Sequence, residues 1–164
     1  MSSTVRSVLA LGSNLGASND TLALAVADLV ESDHVRLHAV SPVVRTKPVG
    51  GPEQPDYLNM VIEVETDLGP YELLAHCQAV EDSHLRRRTV RWGPRTLDVD
   101  IITYGAWTSD DEKLTIPHPR AASRAFVLQP WAWMDAGARL DGRSVAELAA
   151  DAEDLAGLMP FEGV

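Results

Sequence analysis

The chain has a single cysteine, Cys77, among its 164 residues. One thiol cannot build an internal disulfide framework, and it cannot supply the sulfur ligands of a Cys-rich zinc site. Long apolar runs are missing as well. The run at residues 8–11 is too short for a signal peptide, and no run reaches the length of a membrane span. These absences predict a protein of the reducing cytoplasm with no membrane partner.

Positive charge is scarce, with 14 Lys+Arg against 24 Asp+Glu and a net charge of −10. That balance argues against a general nucleic-acid binder or a protein of the membrane surface. The cations are nevertheless concentrated, because five of the 14 are the arginines at positions 86, 87, 88, 91 and 95. A local basic segment on an acidic chain indicates a small anionic ligand.

The size and composition predict one globular domain over residues 1–164, since 45% of the residues are hydrophobic and 23% are charged. Apolar periodicity predicts strands at residues 4–11, 35–46, 57–66 and 96–102, and helices at 19–32 and from 70 into the arginines. Residues 12–16 are predicted to form a strand-to-helix turn and residues 45–56 a lid-like loop. Residues 108–113 are predicted as a loop or hairpin, residues 125–134 as packing on the core, and Ser144 as the N-cap of a short helix.

Two aspartates, Asp98 and Asp100, lie on one face of the strand predicted at residues 96–102. They are about 7 Å apart along the strand, and two bare carboxylates repel by about 2 kcal/mol there at an effective dielectric near 20. A divalent cation or arginines would offset that repulsion. Carboxylates for a metal beside guanidinium groups for phosphate are the chemistry of a Mg²⁺–nucleotide site. The structural alternative is a solvated strand end or an Asp–Arg pair.

A second candidate site lies at the start of the strand predicted at residues 57–66. Alternation places Leu58, Met60, Ile62 and Val64 on its core face and therefore Tyr57 and Asn59 on the other. An aromatic ring beside an amide can stack on a flat heterocycle and read its hydrogen-bonding edge. An ordinary half-exposed strand end is the alternative.

Four separated blocks bring these features together: Ala-Leu-Gly-Ser-Asn-Leu-Gly (10–16), Gln-Pro-Asp-Tyr-Leu-Asn (54–59), Arg-Trp-Gly-Pro-Arg-Thr-Leu-Asp-Val-Asp-Ile (91–101) and Leu-Thr-Ile-Pro-His-Pro-Arg (114–120). In these blocks the chain resembles the hydroxymethyldihydropterin pyrophosphokinases of folate biosynthesis. The resemblance implies an α+β fold related to the ferredoxin-like class, with a mainly antiparallel sheet and helices packed on its faces. It also implies transfer of diphosphate from ATP to the hydroxymethyl group of 6-hydroxymethyl-7,8-dihydropterin, with AMP as the other product.

The resemblance further implies a role for individual residues. Asp98 and Asp100 are expected to hold two Mg²⁺ ions, and the catalytic arginines are expected to be Arg86, Arg88 and Arg95. Pterin contacts are expected from Thr46, Pro48, Val49, Tyr57, Asn59, Trp92 and Phe126. ATP contacts are expected from Gln78, Glu81, Arg88, Trp92, Arg95, Ile101, Lys113, Thr115, His118 and Arg124. Leu85 stands where many members have Gly, so the division of roles among Arg86, Arg87 and Arg88 stays open.

Three other functions compete with this interpretation. A nucleotide- or pterin-binding module could do without the aspartates, yet both are present. A nucleic-acid binder built on the arginines conflicts with the net charge of −10. A glycosidase with paired carboxylates suits the neighbouring arginines less well than an anionic substrate does. We expect ATP and the pterin as ligands, no nucleic acid, and a monomer.

Overall fold

The computed structural model describes residues 3–14, 18–46, 57–87 and 97–160. Its helices are α1 (Ser18–Val30), α2 (Pro70–Arg87), α3 (Ala125–Met134) and α4 (Val145–Asp151). Its longer strands are β1 (Val5–Asn14), β2 (Val35–Val40), β3 (Val44–Thr46), β4 (Tyr57–Thr66) and β5 (Leu97–Ile101). Its shorter strands are β6 (Ser109–Asp111), β7 (Leu114–Ile116), β8 (Arg139–Leu140), β9 (Arg143–Ser144) and β10 (Leu158–Pro160).

The main sheet has the order β10-β3-β4-β1-β5, with β2 also paired to β4, and every pairing in it is antiparallel. β4 is long enough for β2 and β3 to share one of its edges while β1 takes the other. β1 in turn lies between β4 and β5, so the two sequence segments with candidate chemistry are both neighbours of β1.

Each face of the sheet carries its own helices. Leu58, Met60, Ile62 and Val64 of β4 are buried on the face that packs against α1 and α2, as their alternation predicted. The stripe of Leu73, Cys77 and Val80 on α2 completes that core. The opposite face packs against α3 and α4 through a second cluster that includes Val61, Leu128, Trp131 and Leu148. This mixed, antiparallel architecture confirms the predicted α+β fold class.

Two predicted elements near the N-terminus were wrong in extent. Residues 12–14 continue β1 instead of turning, because their backbone pairs with β4, and as far as Ser13 with β5 as well. Residues 15 and 16 of the predicted turn lie outside the described residues. The strand predicted at residues 35–46 is interrupted at residues 41–43, where Pro42 cannot donate a hydrogen bond to a ladder. Ser41 holds the break in place, since its hydroxyl accepts the N–H of Val61 at 2.9 Å.

The C-terminal half follows its predictions more closely. Residues 109–116 form the β6–β7 hairpin, and Ser144 caps α4 by accepting the N–H of Glu147. The packing of residues 125–134 is confirmed for Trp131, whereas Trp133 is 48% exposed. Arg45 and Thr46 belong to β3, and residues 47–56 of the predicted lid lie outside the described residues. Over the described parts of the chain, no helix combines the length and apolarity needed to cross a membrane.

Candidate active site

A cavity of about 480 Å³ opens on the α3 side of the sheet, above the middle of β1. Its floor follows from the strand register, because Gly12 of β1 pairs with Asn59 of β4 on one side and with Asp98 of β5 on the other. Residues directly opposite each other in an antiparallel sheet project from the same face, so Asn59, Gly12 and Asp98 form one row. In the next such row, Ala10 pairs with Asp100. Gly12 has no side chain and Ala10 has only a methyl group, so these two positions of β1 leave open space between the amide of β4 and the carboxylates of β5.

The carboxylates of Asp98 and Asp100 both line this cavity, as their alternation predicted. Burial raises the pKa of Asp98, the charge of Asp100 raises it further, and Arg124 acts in the opposite direction. The repulsion between the two groups is therefore only partly offset within the protein. Such a pair suits a hard cation that completes its shell with phosphate oxygens and water, which is how Mg²⁺ is usually bound. The described residues contain no cluster of three or more metal-ligating side chains, so two carboxylates are the donor set they provide here.

Glu81 of α2 supports the strand that carries these aspartates. Its Oε2 accepts the backbone N–H of Val99 at 2.8 Å, between Asp98 and Asp100. Burial raises the pKa of Glu81, and the charges of both aspartates add to that rise. Glu81 therefore satisfies a backbone donor of β5 and adds to the negative potential around the pair. It does not itself line the cavity.

The wall of the cavity also contains four of the seven predicted pterin residues. Thr46, Tyr57, Asn59 and Phe126 all line the same cavity. The Asn59 side-chain amide donates to the Thr46 hydroxyl at 3.3 Å, which orients the amide oxygen. The two rings and the amide are the features that a flat heterocycle with polar edges would need.

The side chains of Arg124 and His118 also line this cavity. The guanidinium of Arg124 lies 5.4 Å from the centre of the Phe126 ring, within cation–π range. His118 lies nearby, held by a hydrogen bond from its backbone N–H to the carbonyl oxygen of Ile102 at 3.0 Å. Burial lowers the pKa of His118, Arg124 and Arg120 lower it further, and Asp100 opposes them. Its Nδ1 accepts the N–H of Arg120, so the neutral ring presents Nε2–H as a donor.

Several predicted ATP contacts do not line this cavity. Ile101 is buried in the core on the α1–α2 face, and Gln78 and Lys113 are exposed elsewhere. The hydroxyl of Thr115 donates to the carbonyl oxygen of Asp111. Other predicted site residues lie outside the described residues: Pro48, Val49, Arg88, Trp92, Arg95 and the side chain of Arg86. Their roles stay predictions.

Sequence reasoning missed two contributions to the cavity. Gly12 belongs to a recognised block but was interpreted as a turn residue, whereas its position in the sheet makes it the floor of the cavity. Asp154 and Gly157 come from the C-terminal 3₁₀ turn Glu153–Gly157 and also line the cavity. Nothing in the sequence around them indicated a site, because no motif includes them.

Comparison with known proteins gives consistent matches. The family model described as 7,8-dihydro-6-hydroxymethylpterin-pyrophosphokinase (HPPK) matches residues 8–136. A Bacillus subtilis protein named 2-amino-4-hydroxy-6-hydroxymethyldihydropteridine pyrophosphokinase is 44% identical over 124 residues, which cover 76% of this chain and 74% of that protein. A Pseudomonas aeruginosa protein of the same name is 40% identical over 160 residues, covering 97% and 94%.

Solved structures of Plasmodium falciparum HPPK-DHPS share the fold. One with pterin and p-hydroxybenzoate superposes with a TM-score of 0.75 over 98% of this chain at 13% identity. Another, with pteroate, has a TM-score of 0.70 over 90% of this chain, also at 13% identity. This chain spans 48% and 42% of those two chains, less than half of their length.

Proposed function

This chain belongs to the 7,8-dihydro-6-hydroxymethylpterin-pyrophosphokinase family, and from that premise we propose that it transfers the terminal diphosphate of ATP to the hydroxymethyl group of 6-hydroxymethyl-7,8-dihydropterin. It is an enzyme of the diphosphotransferase class that functions in folate synthesis. The pterin hydroxyl oxygen attacks the β-phosphorus of ATP, the bond from that phosphorus to the α-phosphate oxygen breaks, and AMP leaves. The hydroxyl proton passes to solvent.

The observation that carries this proposal is the row formed by Asn59, Gly12 and Asp98 across three neighbouring strands. It supports a single cavity that takes a polar heterocycle at one end and a charged phosphate chain at the other. Reactions of this type depend mainly on positioning and on charge stabilisation, so a shared rigid floor for both substrates is the feature to expect. We further propose that residues 1–164 act as one pyrophosphokinase domain, because both pairs of helices pack on one sheet.

At the pterin end, the Asn59 amide and the Thr46 hydroxyl bind the polar edge of the heterocycle. Tyr57 and Phe126 contact its flat faces. These roles rest on the contacts within the cavity: the amide is oriented by the hydroxyl at 3.3 Å, and both rings line the same space. The bound pterin thereby presents its hydroxymethyl group toward Asp98 and Asp100.

At the phosphate end, Asp98 and Asp100 would hold two Mg²⁺ ions, which when bound supply positive charge to the triphosphate. Arg124 faces the same space and stabilises negative charge as AMP departs, with Arg95 and one of the arginines at 86–88 as further cations. The neutral imidazole of His118 donates its Nε2–H to a phosphate oxygen. Because Arg124 also packs on Phe126, it fixes the relative position of the two ends.

Product analysis tests this proposal. The protein is incubated with Mg²⁺, ATP and 6-hydroxymethyl-7,8-dihydropterin, and nucleotide and pterin products are separated by chromatography. We expect AMP and pterin diphosphate in equal amounts, each dependent on the pterin. ADP in place of AMP would mean that a single phosphoryl group is transferred, which would contradict the proposal.

A pair of variants tests the metal assignment. Asp98→Ala should abolish turnover while the protein stays folded by circular dichroism. Asp110→Ala is the matched control, because it removes an exposed carboxylate of β6 away from the cavity and should retain full activity. An active Asp98→Ala variant would refute the role of the aspartate pair.

A further inference from the structure

Helix α3 begins between two residues of the cavity wall. Arg124 is its N-cap residue and Phe126 lies in its first turn, and both face the cavity. The side chain of Arg124 makes no capping hydrogen bond, and an arginine has no acceptor with which to make one. The first backbone donors of a helix have no partner within the helix, so the start of α3 needs an acceptor from elsewhere.

That acceptor is the side chain of Asp154. Its Oδ1 accepts the backbone N–H of Ala125 at 2.9 Å, across 29 residues of sequence. The N–H groups of Val127 and Leu128 are satisfied by the carbonyl oxygen of Arg124, each at 3.0 Å. A carboxylate at a helix N-terminus also interacts favourably with the helix dipole. Asp154 thus supplies from the C-terminal turn the cap that the local sequence lacks.

The same aspartate lines the cavity together with Arg124 and Phe126. It is half-buried in the 3₁₀ turn Glu153–Gly157, and the strand β10 that follows pairs with β3 beside Thr46. The C-terminal segment is therefore anchored to the sheet on one side of the cavity and to α3 on the other.

We propose that Asp154 is a positioning residue for the pterin end of the site. It holds the first turn of α3 in place, so that the Phe126 ring and the Arg124 guanidinium are set before the substrate arrives. This inference rests on the proposed function, since it assigns Asp154 a part in binding the same pterin. Asp154 acts through Ala125 and the helix, not by contact with the reacting atoms.

Loss of the cap should weaken pterin binding because it changes how often the first turn of α3 is closed. Without its cap, the first turn of α3 opens part of the time, and only the closed fraction binds the pterin well. The apparent affinity is then the intrinsic affinity multiplied by the closed fraction. The loss of a side-chain N-cap shifts the opening equilibrium of this turn by about threefold to thirtyfold. The Kd rises by the full factor only where the open form comes to predominate, so about thirtyfold is the upper bound of the effect.

Three variants test the proposal with pterin alone, by calorimetry. Asp154→Ala should raise the Kd for 6-hydroxymethyl-7,8-dihydropterin measurably, by at most about thirtyfold. Asp154→Asn keeps an oxygen acceptor and should bind the pterin nearly as well as the wild-type protein. Glu153→Ala removes an exposed carboxylate from the same turn and should leave the Kd unchanged.

The outcomes separate this proposal from a purely structural role. A lowered melting temperature of Asp154→Ala with an unchanged pterin Kd would overturn it, as would an Asp154→Asn variant that binds as weakly as Asp154→Ala. If Asp154→Ala does not fold, amide hydrogen exchange at Ala125 in the wild-type protein decides. Protection without pterin is expected, and free exchange would refute the contact.

Failure of the proposed function has a different signature. A wild-type protein that binds no pterin and forms no AMP would reject the pyrophosphokinase assignment, and the positioning role with it. A wild-type protein that binds and converts the pterin, beside an Asp154→Ala variant with the same Kd, would reject the positioning role alone.

Discussion

Gly12→Ala should damage the pterin end of the site while leaving the fold intact. A Cβ at Gly12 would lie 2.8 Å from Oδ1 of Asn59. Carbon and oxygen atoms in weak contact prefer about 3.3–3.6 Å, so the amide oxygen would have to move by about 0.5 Å or more. The hydrogen bond from the Asn59 amide to the Thr46 hydroxyl is already 3.3 Å long, and such a shift would break or strain it.

The size of the effect can be bounded from these contacts. Losing one well-formed hydrogen bond to the substrate amounts to about 1–3 kcal/mol, or roughly a fivefold to hundredfold increase in the KM for the pterin. The stability of the fold should change little, because the clashing atom is the end of a flexible side chain. Alanine is also favoured over glycine inside a strand by about 0.5–1 kcal/mol. The melting temperature should therefore change by only a few degrees.

Steady-state kinetics with each substrate varied in turn provide the assay. Gly137→Ala is the matched control, since a Cβ there would meet its nearest neighbour, Oδ1 of Asp135, at an ordinary 3.7 Å. Because the effect acts through Asn59, Gly12→Ala combined with Asn59→Ala should be no worse than Asn59→Ala alone. An unchanged pterin KM in Gly12→Ala, or additive losses in the double variant, would refute this reasoning.

Four further outcomes follow from burial and capping. Burial and the charge of Asp100 raise the pKa of Asp98, so its ionised form destabilises the folded protein. Asp98→Asn removes that charge and should raise the melting temperature of the protein in EDTA at pH 7. An acid with a raised pKa costs stability only where it is ionised, so the gain should vanish once the pH falls below the ordinary carboxyl range. Cys77, whose pKa burial raises to about 12, should resist an aromatic disulfide reagent at pH 8 and react rapidly only in urea. Leu9→Ala removes a fully buried side chain and should lower the free energy of unfolding by about 2–5 kcal/mol in urea titrations. Ser144→Ala should cost about 1 kcal/mol in the same titrations, because the first turn of α4 loses its cap.

Local patterns in the sequence determined the elements whose form depends on their own residues. The alternation of β4 fixed both its bounds and its buried face. On α2, the helical spacing of Leu73, Cys77 and Val80 places them together in the buried core. The same alternation placed Asp98 and Asp100 on one face, and the four motif blocks were sufficient to indicate the family. In each case the information lies within a few nearby residues, because the period of a strand or a helix determines which of them share a face.

Tertiary structure alone decided which distant residues meet. The row of Asn59, Gly12 and Asp98 depends on the register of three strands, and a shift by one residue would send each side chain to the other face. The bond from Ala125 to Asp154 depends on a C-terminal turn returning to α3. Neither contact follows from a periodic pattern in the sequence, because tertiary packing selects it from many possible pairings. The sequence therefore specified the chemical groups of the site, and the fold specified their arrangement.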